Sequence, residues 1–427
     1  MIEMVTAVTP RKLRPAPEPL GNFIRPGYND HTVIAQALAE GRGSGSGLVI
    51  NPLHADRQRP LIEHARAAGV ETILDSKSLE LSAPGGYAMH GVPELPWAAA
   101  EGMHSPLILS GMEGGRLVRN LSEYAAEAQV SAILAPTHFL DDAESPWWTI
   151  DASLTRRLRQ NLNELEMTSA LIYYPVMVRT STLMNPAVMA QLIDHLRRLP
   201  VDGVWLRLHP FGTTKSGPLV LKRYLQLCRQ LHALGIPIVA EHSGSVGVAL
   251  LAFGAVGGIE SGVTFTDTVN LDGVLRPPKP DARSFAPAPR VYLHQLSAFV
   301  DAQTARELLS KRGMKALHGC QDTACCPRGW VDMVANPRQH FLRQRAREVA
   351  QLSAMPFSLR PGYYMENFLR PASDRAMRAA EFEPSLAAVR KRLDSWRGTL
   401  GADLEQHSEF TISEPAAGRR LRVRPSA

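Results

Sequence analysis

Short apolar runs alternate with longer stretches in which apolar residues recur every three or four positions, and this alternation fills the middle of the chain. The short runs predict eight strands: GLVINPLH (47–54), ETILDS (71–76), PLILSG (106–111), VSAILAP (130–136), SALIYYPVMV (169–178), DGVWLRLH (202–209), IPIVAEH (236–242) and GGIESG (257–262). Between them, RQRPLIEHARAAG, SLTRRLRQNLNEL, NPAVMAQLIDHLRRL and PLVLKRYLQLCRQLHALG carry the helical period. In the last of these, Leu221, Tyr224, Leu225, Cys228, Leu231 and Leu234 share one face, which makes Cys228 a core residue, and Gly235 and Pro237 supply the stop. Strands that are apolar throughout, each followed by a helix, indicate a parallel sheet covered on its outer side. Eight such units in about 220 residues predict an α/β fold, a (β/α)8 TIM-type barrel. The expected layout is an irregular segment at 1–45 and the barrel at 46–267. No Gly-x-Gly-x-x-Gly opens a helix after a strand, which counts against a dinucleotide fold, and GRGSGSG (41–47) reads as a flexible loop before the first predicted strand.

After residue 267 the pattern breaks. Residues 268–301 are proline-rich and irregular, DAQTARELLSKRG predicts a helix, and MKALHGC leads into a cysteine cluster. A long helix over 337–353 follows, with Asn336 as its cap and Pro337 at its first position. The chain thus inserts a Cys/His subdomain at 268–340 and ends at 341–427 with the final barrel helix and a basic helical extension.

Composition narrows the class. At 427 residues, 44% hydrophobic and 21% charged, the chain has the make-up of a folded globular protein. No apolar run approaches the ~20 residues that span a bilayer, and the first thirty residues lack a signal-peptide core, so no membrane partner and a cytoplasmic address are expected. Net charge is +6, and from Lys311 onward 20 Lys and Arg face 12 Asp and Glu. That basic third fits a polyanion such as nucleic acid, and fits a solvated helical surface as well.

Active sites of parallel barrels lie at the carboxyl ends of the strands. The polar residues predicted there are Asp75 and Ser76, His138, Arg207 and His209, Glu241 and His242, and Glu260, with Asp267 a few residues beyond. A metallohydrolase wants His-x-His after its first strand, and here only His54 stands there. Carboxylates at the mouth suit covalent and acid/base chemistry instead.

Three of the four cysteines lie in LHGCQDTACC (317–326), and His340 follows thirteen residues after Cys326. Cys320, Cys325, Cys326 and His340 complete a tetrahedral zinc shell with no open position, as in structural sites. His318 is an alternative ligand, and a thiol-containing loop without metal is the other reading.

An eight-unit barrel, a Cys3His group after the eighth strand and a basic carboxyl-terminal helix together resemble the queuine/archaeosine tRNA-guanine transglycosylase superfamily. The resemblance covers roughly residues 45–360 and rests on layout more than on sequence. LDSKSLEL (74–81) falls where the family has Asp-Ser-Gly-Gly-Phe-Gln; Asp75 and Ser76 match, while Lys77, Ser78 and Leu79 do not. GAVGGIESGV (254–263) falls where the family has its nucleophilic Asp, which puts Glu260 in that position with Asp267 as rival. RLHPFGTTKSG (207–217) replaces the family's purine loop, and APTHFLDD (135–142) stands where an Asp-Glu-Cys motif is usual. These departures place the chain nearer the family's outlying members, which include enzymes that put 7-deazaguanines into DNA.

The resemblance implies base exchange: a carboxylate attacks C1′ as guanine leaves, and a 7-deazaguanine then displaces the protein. Asp75, Glu260 and Asp267 would be catalytic, and Ser76, His138, Arg207, His209, Glu241 and His242 would bind substrate. Structural zinc is the implied cofactor. The implied partners are nucleic acid (DNA or tRNA) and the deazaguanine base, with Arg343, Arg345, Arg347 and the tail GRRLRVRPSA on phosphates; a homodimer is allowed. The alternatives are an aldolase or hydrolase of a small metabolite using His209, Glu241 and His242, or an inactive relative that only binds nucleic acid.

Overall fold

The computed structural model describes residues 20–41, 45–263, 267–278 and 290–413. Eight parallel strands form the barrel: β1 (Gly21–Arg25), β2 (Gly47–Ile50), β3 (Glu71–Asp75), β4 (Ala132–Leu134), β5 (Leu171–Arg179), β6 (Gly203–His209), β7 (Ile238–Ala240) and β8 (Gly258–Gly262). Each pairs with its neighbours in chain order, and β8 closes the ring on β1 with Glu260 opposite Phe23. Helices follow the strands, from His31–Ala39 after β1 to Gly244–Ala252 after β7. The eighth, Pro337–Ser353, comes after the inserted segment and packs against His31–Ala39 and Gly244–Ala252. The TIM-type barrel is therefore the fold.

Two corrections concern where the strands lie. The barrel begins at Gly21, inside the segment read as irregular, and His31–Ala39 is its first helix. GNFIRPG has only two apolar residues in its strand and a Pro-Gly turn directly after it, so it lacks the run that marks a buried strand. Conversely, PLILSG folds as the helix Pro106–Ser110. Ser105 Oγ accepts from the Ile108 N–H at 3.3 Å and Pro106 takes the first helical position, the two start signals that outweigh a five-residue apolar run with no resolvable period. The boundary placed between residues 340 and 341 also falls inside the helix Pro337–Ser353. Part of GRGSGSG (42–44) lies outside the described residues, as does the tail 414–427.

Side chains alternate across each strand, so every second residue enters the barrel. Phe23, Val49, Ile73, Ala132, Leu134, Tyr173, Trp205 and Val239 form an enclosed apolar layer, with Phe23 edge-on to Trp205 at 5.1 Å. Each of the large rings buries roughly 150–250 Å², about 4–6 kcal/mol of transfer free energy. The close fit around Phe23 explains Gly47: a Cβ there would come within 2.5 Å of the ring. Two residues further along the same faces stand Arg25, Asp75, Arg207 and Glu241, and Glu260 joins them from β8. The apolar layer thus carries a layer of charges on its carboxyl-terminal side.

Beyond β8, Thr268–Val269 pairs antiparallel with Phe211–Gly212, and a hairpin of β9 (Arg290–Leu293) and β10 (Ala298–Asp301) leads into the Cys/His segment. Cys228 is fully buried as expected. The last helix, Ala387–Ser413, docks on Pro218–His232, where Trp396 Nε1–H donates to the Ser216 carbonyl at 2.9 Å. Among the described residues no helix is long and apolar enough to cross a membrane.

Candidate active site and metal centre

Arg25 is the hub of the charged layer. Its guanidinium pairs with Asp75, reaches Glu260 Oε1 at 3.2 Å and Glu241 Oε2 at 3.7 Å. Arg207 forms an ion pair with Glu241, Nε to Oε1 at 2.7 Å, and lies 3.6 Å from Asp75, while Lys77 bridges Asp75 at 3.4 Å and Glu80 at 2.8 Å. Three cations meet four carboxylates, so the cluster holds one negative charge in excess. Burial pushes Asp75 up, but the charges of Lys77, Arg25 and Arg207 outweigh it and hold the carboxyl well below the usual range. Glu241 is likewise raised by burial and brought down by Arg207 and Arg25, for a net lowering. Burial lowers Lys77, and Asp75 and Glu80 raise it further than that, so its ammonium stays charged.

Glu260 is fully buried, and its hydrogen bonds are long: 3.2 Å from Arg25 Nε and 3.3 Å from the His242 backbone N–H. Two non-glycine residues beside the cluster, Lys77 (φ 55°) and His242 (φ 42°), adopt left-handed backbone. Such strain is retained where the surroundings impose it, and it concentrates at functional sites. Glu241, His242 and Glu260 bring ligand atoms within 4.8 Å of one another, and Glu241 Oε2 and His242 Nδ1 are buried without a hydrogen-bond partner, although Arg25 stands 3.7 Å from that Glu241 oxygen.

Of the residues expected at the mouth, Asp75, Arg207, Glu241, His242 and Glu260 come together. Ser76 turns aside, its hydroxyl donating to the Ala135 carbonyl at 3.3 Å. His138 faces the helical layer, because Phe139 takes the inward position beside it. There its Nδ1 meets Asp151 at 2.6 Å and its ring stacks on Trp147 at 3.8 Å. His209 sits at the rim, where Nδ1 accepts from the Leu271 N–H at 3.1 Å and anchors the segment after β8. Asp267 is drawn toward the hairpin by Arg290 at 3.0 Å, away from the cluster. Leu79, Phe139, Met177, Val269 and Leu271 form an apolar roof, and Arg207 touches it through the Met177 sulfur at 3.6 Å.

Sequence reasoning missed Arg25 and Lys77. Lys77 was visible only as a mismatch within LDSKSLEL, and Arg25 lay on the unread strand.

The expected phosphate contacts divide. Arg345 is buried over the rings of Tyr292 and Phe341 and pairs with Glu348 at 3.2 Å, so it cannot reach a phosphate. Arg343 pairs with Glu40 and donates to the Ala324 carbonyl at 2.7 Å, which ties it to the Cys segment. Arg347, with 54% of its side chain exposed, pairs with Asp322 at 3.4 Å on the surface.

Cys320, Cys325, Cys326 and His340 place one ligand atom each within 4.8 Å of the others, a group able to hold a metal ion. His340 Nδ1 lies 3.5 Å from Cys325 Sγ and 3.4 Å from Cys326 Sγ, and the two sulfurs are 3.7 Å apart. The opposite ring nitrogen, Nε2, donates to the Tyr292 carbonyl at 3.0 Å, which leaves the Nδ1 lone pair facing the thiols. His318, the alternative, is buried apart from this group.

No family model matches the chain, and no curated protein matches it. Solved structures similar to it include xylanase 10B from Thermotoga petrophila RKU-1 (11% identity, 57% of this chain, 82% of that one, TM-score 0.37). Deoxyribose phosphate aldolase from Aeropyrum pernix is another (15% identity, 58% and 86%, TM-score 0.32), and an HpcH/HpaI aldolase from Desulfitobacterium hafniense DCB-2 a third (12% identity, 57% and 86%, TM-score 0.32). The barrel assignment rests on the closed strand ladder itself.

Proposed function

We propose that the barrel exchanges a base in nucleic acid, replacing guanine by a 7-deazaguanine through a glycosyl-enzyme intermediate. The observation that carries this reading is the buried cluster with one negative charge in excess, because glycosyl transfer develops positive charge on the sugar ring. Glu260 attacks C1′ as the bond to guanine N9 breaks, the departing guanine takes its proton from solvent, and Asp75, held ionised, accepts the N9 proton of the arriving base. The deazaguanine then displaces Glu260, and two inversions give net retention. Glu260 suits the nucleophile better than Asp267, since it shares Arg25 with Asp75 and its hydrogen bonds are long, whereas Asp267 is held by Arg290. The target nucleotide has to leave its stack, and the apolar roof beside Arg207 offers a face for the extruded base.

Zinc fits the Cys3His group as a structural ion. A tetrahedron with Zn–S bonds of ~2.3 Å and a Zn–N bond of ~2.1 Å has edges of roughly 3.8 Å between sulfurs and 3.6 Å between sulfur and nitrogen. The corresponding distances here are 3.7, 3.5 and 3.4 Å. Four protein ligands leave no open position, so the ion would brace residues 320–326 against the helix Pro337–Ser353.

The test is incubation of the full chain with labelled guanine and separate tRNA and DNA pools. Incorporation into one pool, abolished in Glu260→Gln and retained in Asp267→Asn, is the expected result. No incorporation into either pool, or an active Glu260→Gln, overturns the proposal. Turnover of a small phosphorylated or hydroxylated carbonyl compound without nucleic acid would instead favour aldolase or hydrolase chemistry at Glu241 and His242.

A further inference from the structure

A cavity of about 310 Å³ lies outside the barrel, between the turn of the β9–β10 hairpin, the helix Pro337–Ser353 and the helical run from Arg360 to Phe382. Its lining is mostly polar, and three features of it lack an internal explanation. Arg375 is half-buried with no ion pair or hydrogen bond among the described residues, and burial alone lowers its pKa. An unneutralised guanidinium in that position calls for an anion. His294 accepts from the Gln295 amide on Nε2 at 3.0 Å, so its ring proton sits on Nδ1, which is buried and has no partner. Finally, the π-helical turn Met365–Leu369 carries Asn367 and Phe368 into the lining. Such turns are rare and recur at functional sites. Glu348, the one carboxylate on the wall, is already engaged by Tyr292 at 2.8 Å and by Arg345.

We propose that this cavity binds a nucleotide, with its phosphate on Arg375 and its base against Tyr363 and Phe368. The free carbonyl of the Asn367 amide can read a base edge, since its nitrogen donates to the Tyr363 carbonyl at 3.0 Å. The ligand is either a free mononucleotide or the terminal nucleotide of a strand; the recognised chemistry is the same. The inference does not depend on the barrel reaction.

Calorimetric titration of the full chain tests it with adenosine monophosphate, adenosine, inorganic phosphate and a 5′-phosphorylated single-stranded oligonucleotide. An adenine ligand is used because the barrel chemistry concerns guanine. Adenosine monophosphate is expected to bind, with Arg375→Ala weakening it at least about tenfold and Phe368→Ala several-fold. Glu260→Gln is expected to bind as the wild type does, which separates this cavity from the barrel. Binding of the oligonucleotide at equal or higher affinity identifies a strand end, and binding of the mononucleotide alone identifies a free nucleotide. The proposal is overturned if adenosine binds as well as its monophosphate, if inorganic phosphate binds as well and Phe368→Ala has no effect, or if Arg375→Ala binds normally. Thermal midpoints check that the variants fold. Asn367→Ala, at an exposed position, supplies a second variant with the same expected direction.

Discussion

Replacing Arg25 by Gln removes one charge from the centre of the buried cluster and leaves a shorter, neutral hydrogen-bond donor in its place. Each of its contacts to Glu260 and Glu241, at 3.2 and 3.7 Å, is worth roughly 5 kcal/mol gross at an effective dielectric constant of about 20. Desolvation cancels most of that sum, and breaking a buried ion pair from one side costs about 3–5 kcal/mol net. The loss should depend on pH, and its sign follows from the carboxylates. In the wild type Asp75 and Glu241 titrate below their ordinary values, so their contribution is full above the unfolded-state range near 4 and fades only as pH falls through the lower folded values. Without Arg25, burial is opposed by Arg207 and Lys77 alone, the folded carboxylates rise, and the variant loses stability as pH climbs from about 4 toward 7. Urea unfolding followed by circular dichroism at pH 8 and pH 5 measures this. The variant should be less stable by about 3–5 kcal/mol at pH 8 and by clearly less at pH 5, each retained proton changing the difference by about 1.4 kcal/mol per unit. A deficit below about 1 kcal/mol at pH 8, or the same deficit at both values, would refute the hub role of Arg25.

Burial and the neighbouring His138 hold His104 down from 6.5 to about 3. The unfolded chain therefore takes a proton that the folded chain refuses, and stability should fall as pH drops from 6.5 toward 3, by up to about 1.4 kcal/mol per unit; His104→Phe should flatten that slope in pH-dependent urea melts. Elemental analysis should find one zinc per chain, and Cys326→Ser or a strong chelator should remove it and lower the thermal midpoint; a metal-free protein indifferent to chelator would eliminate the site. Arg345→Met should cost about 3–5 kcal/mol, because Glu348 is left buried and unpaired, yet leave nucleic-acid affinity of the folded protein unchanged in filter binding. Arg347→Ala should do the reverse, weakening binding with a change in stability of less than about 0.5 kcal/mol.

The barrel was legible because most of its strands carry short apolar runs, as β2 and β7 show with every residue buried. Cys228 and the helix that starts at Pro337 were legible for similarly local reasons, a 3.6-residue stripe and a proline at the first helical position. The cysteine cluster was legible as a spacing, and the choice of His340 over His318 needed the hairpin carbonyl of Tyr292 that orients the ring. The misplacement of His138 came from one residue of register: in a strand extension that pairs Phe139 with Met177, its neighbour points outward, and no local signal in APTHFLDD fixes which residue faces in. Arg345 was misjudged because a helix of mixed charge does not reveal which arginine lies over Tyr292 and Phe341.

The failure at β1 has a different cause. A buried parallel strand is recognised by continuous apolar residues, and β1 offers Phe23 and Ile24 between Asn22 and Arg25. Phe23 completes the apolar layer, so the residue two positions later is bound to enter the same channel at the level of Asp75, Arg207 and Glu241. An apolar residue there would restore the sequence signal and leave four carboxylates with only Arg207 and Lys77 to balance them. The side chain that hides the strand from pattern reading is the one that makes the charged layer tenable, which is where local rules and the needs of a site are expected to part. Strands of this kind are better sought by their position than by their hydropathy: in a closed barrel with seven evident units, the missing eighth must lie where the ladder is open, and a basic residue two places after a large aromatic is then a candidate partner for the carboxylates of the other strands.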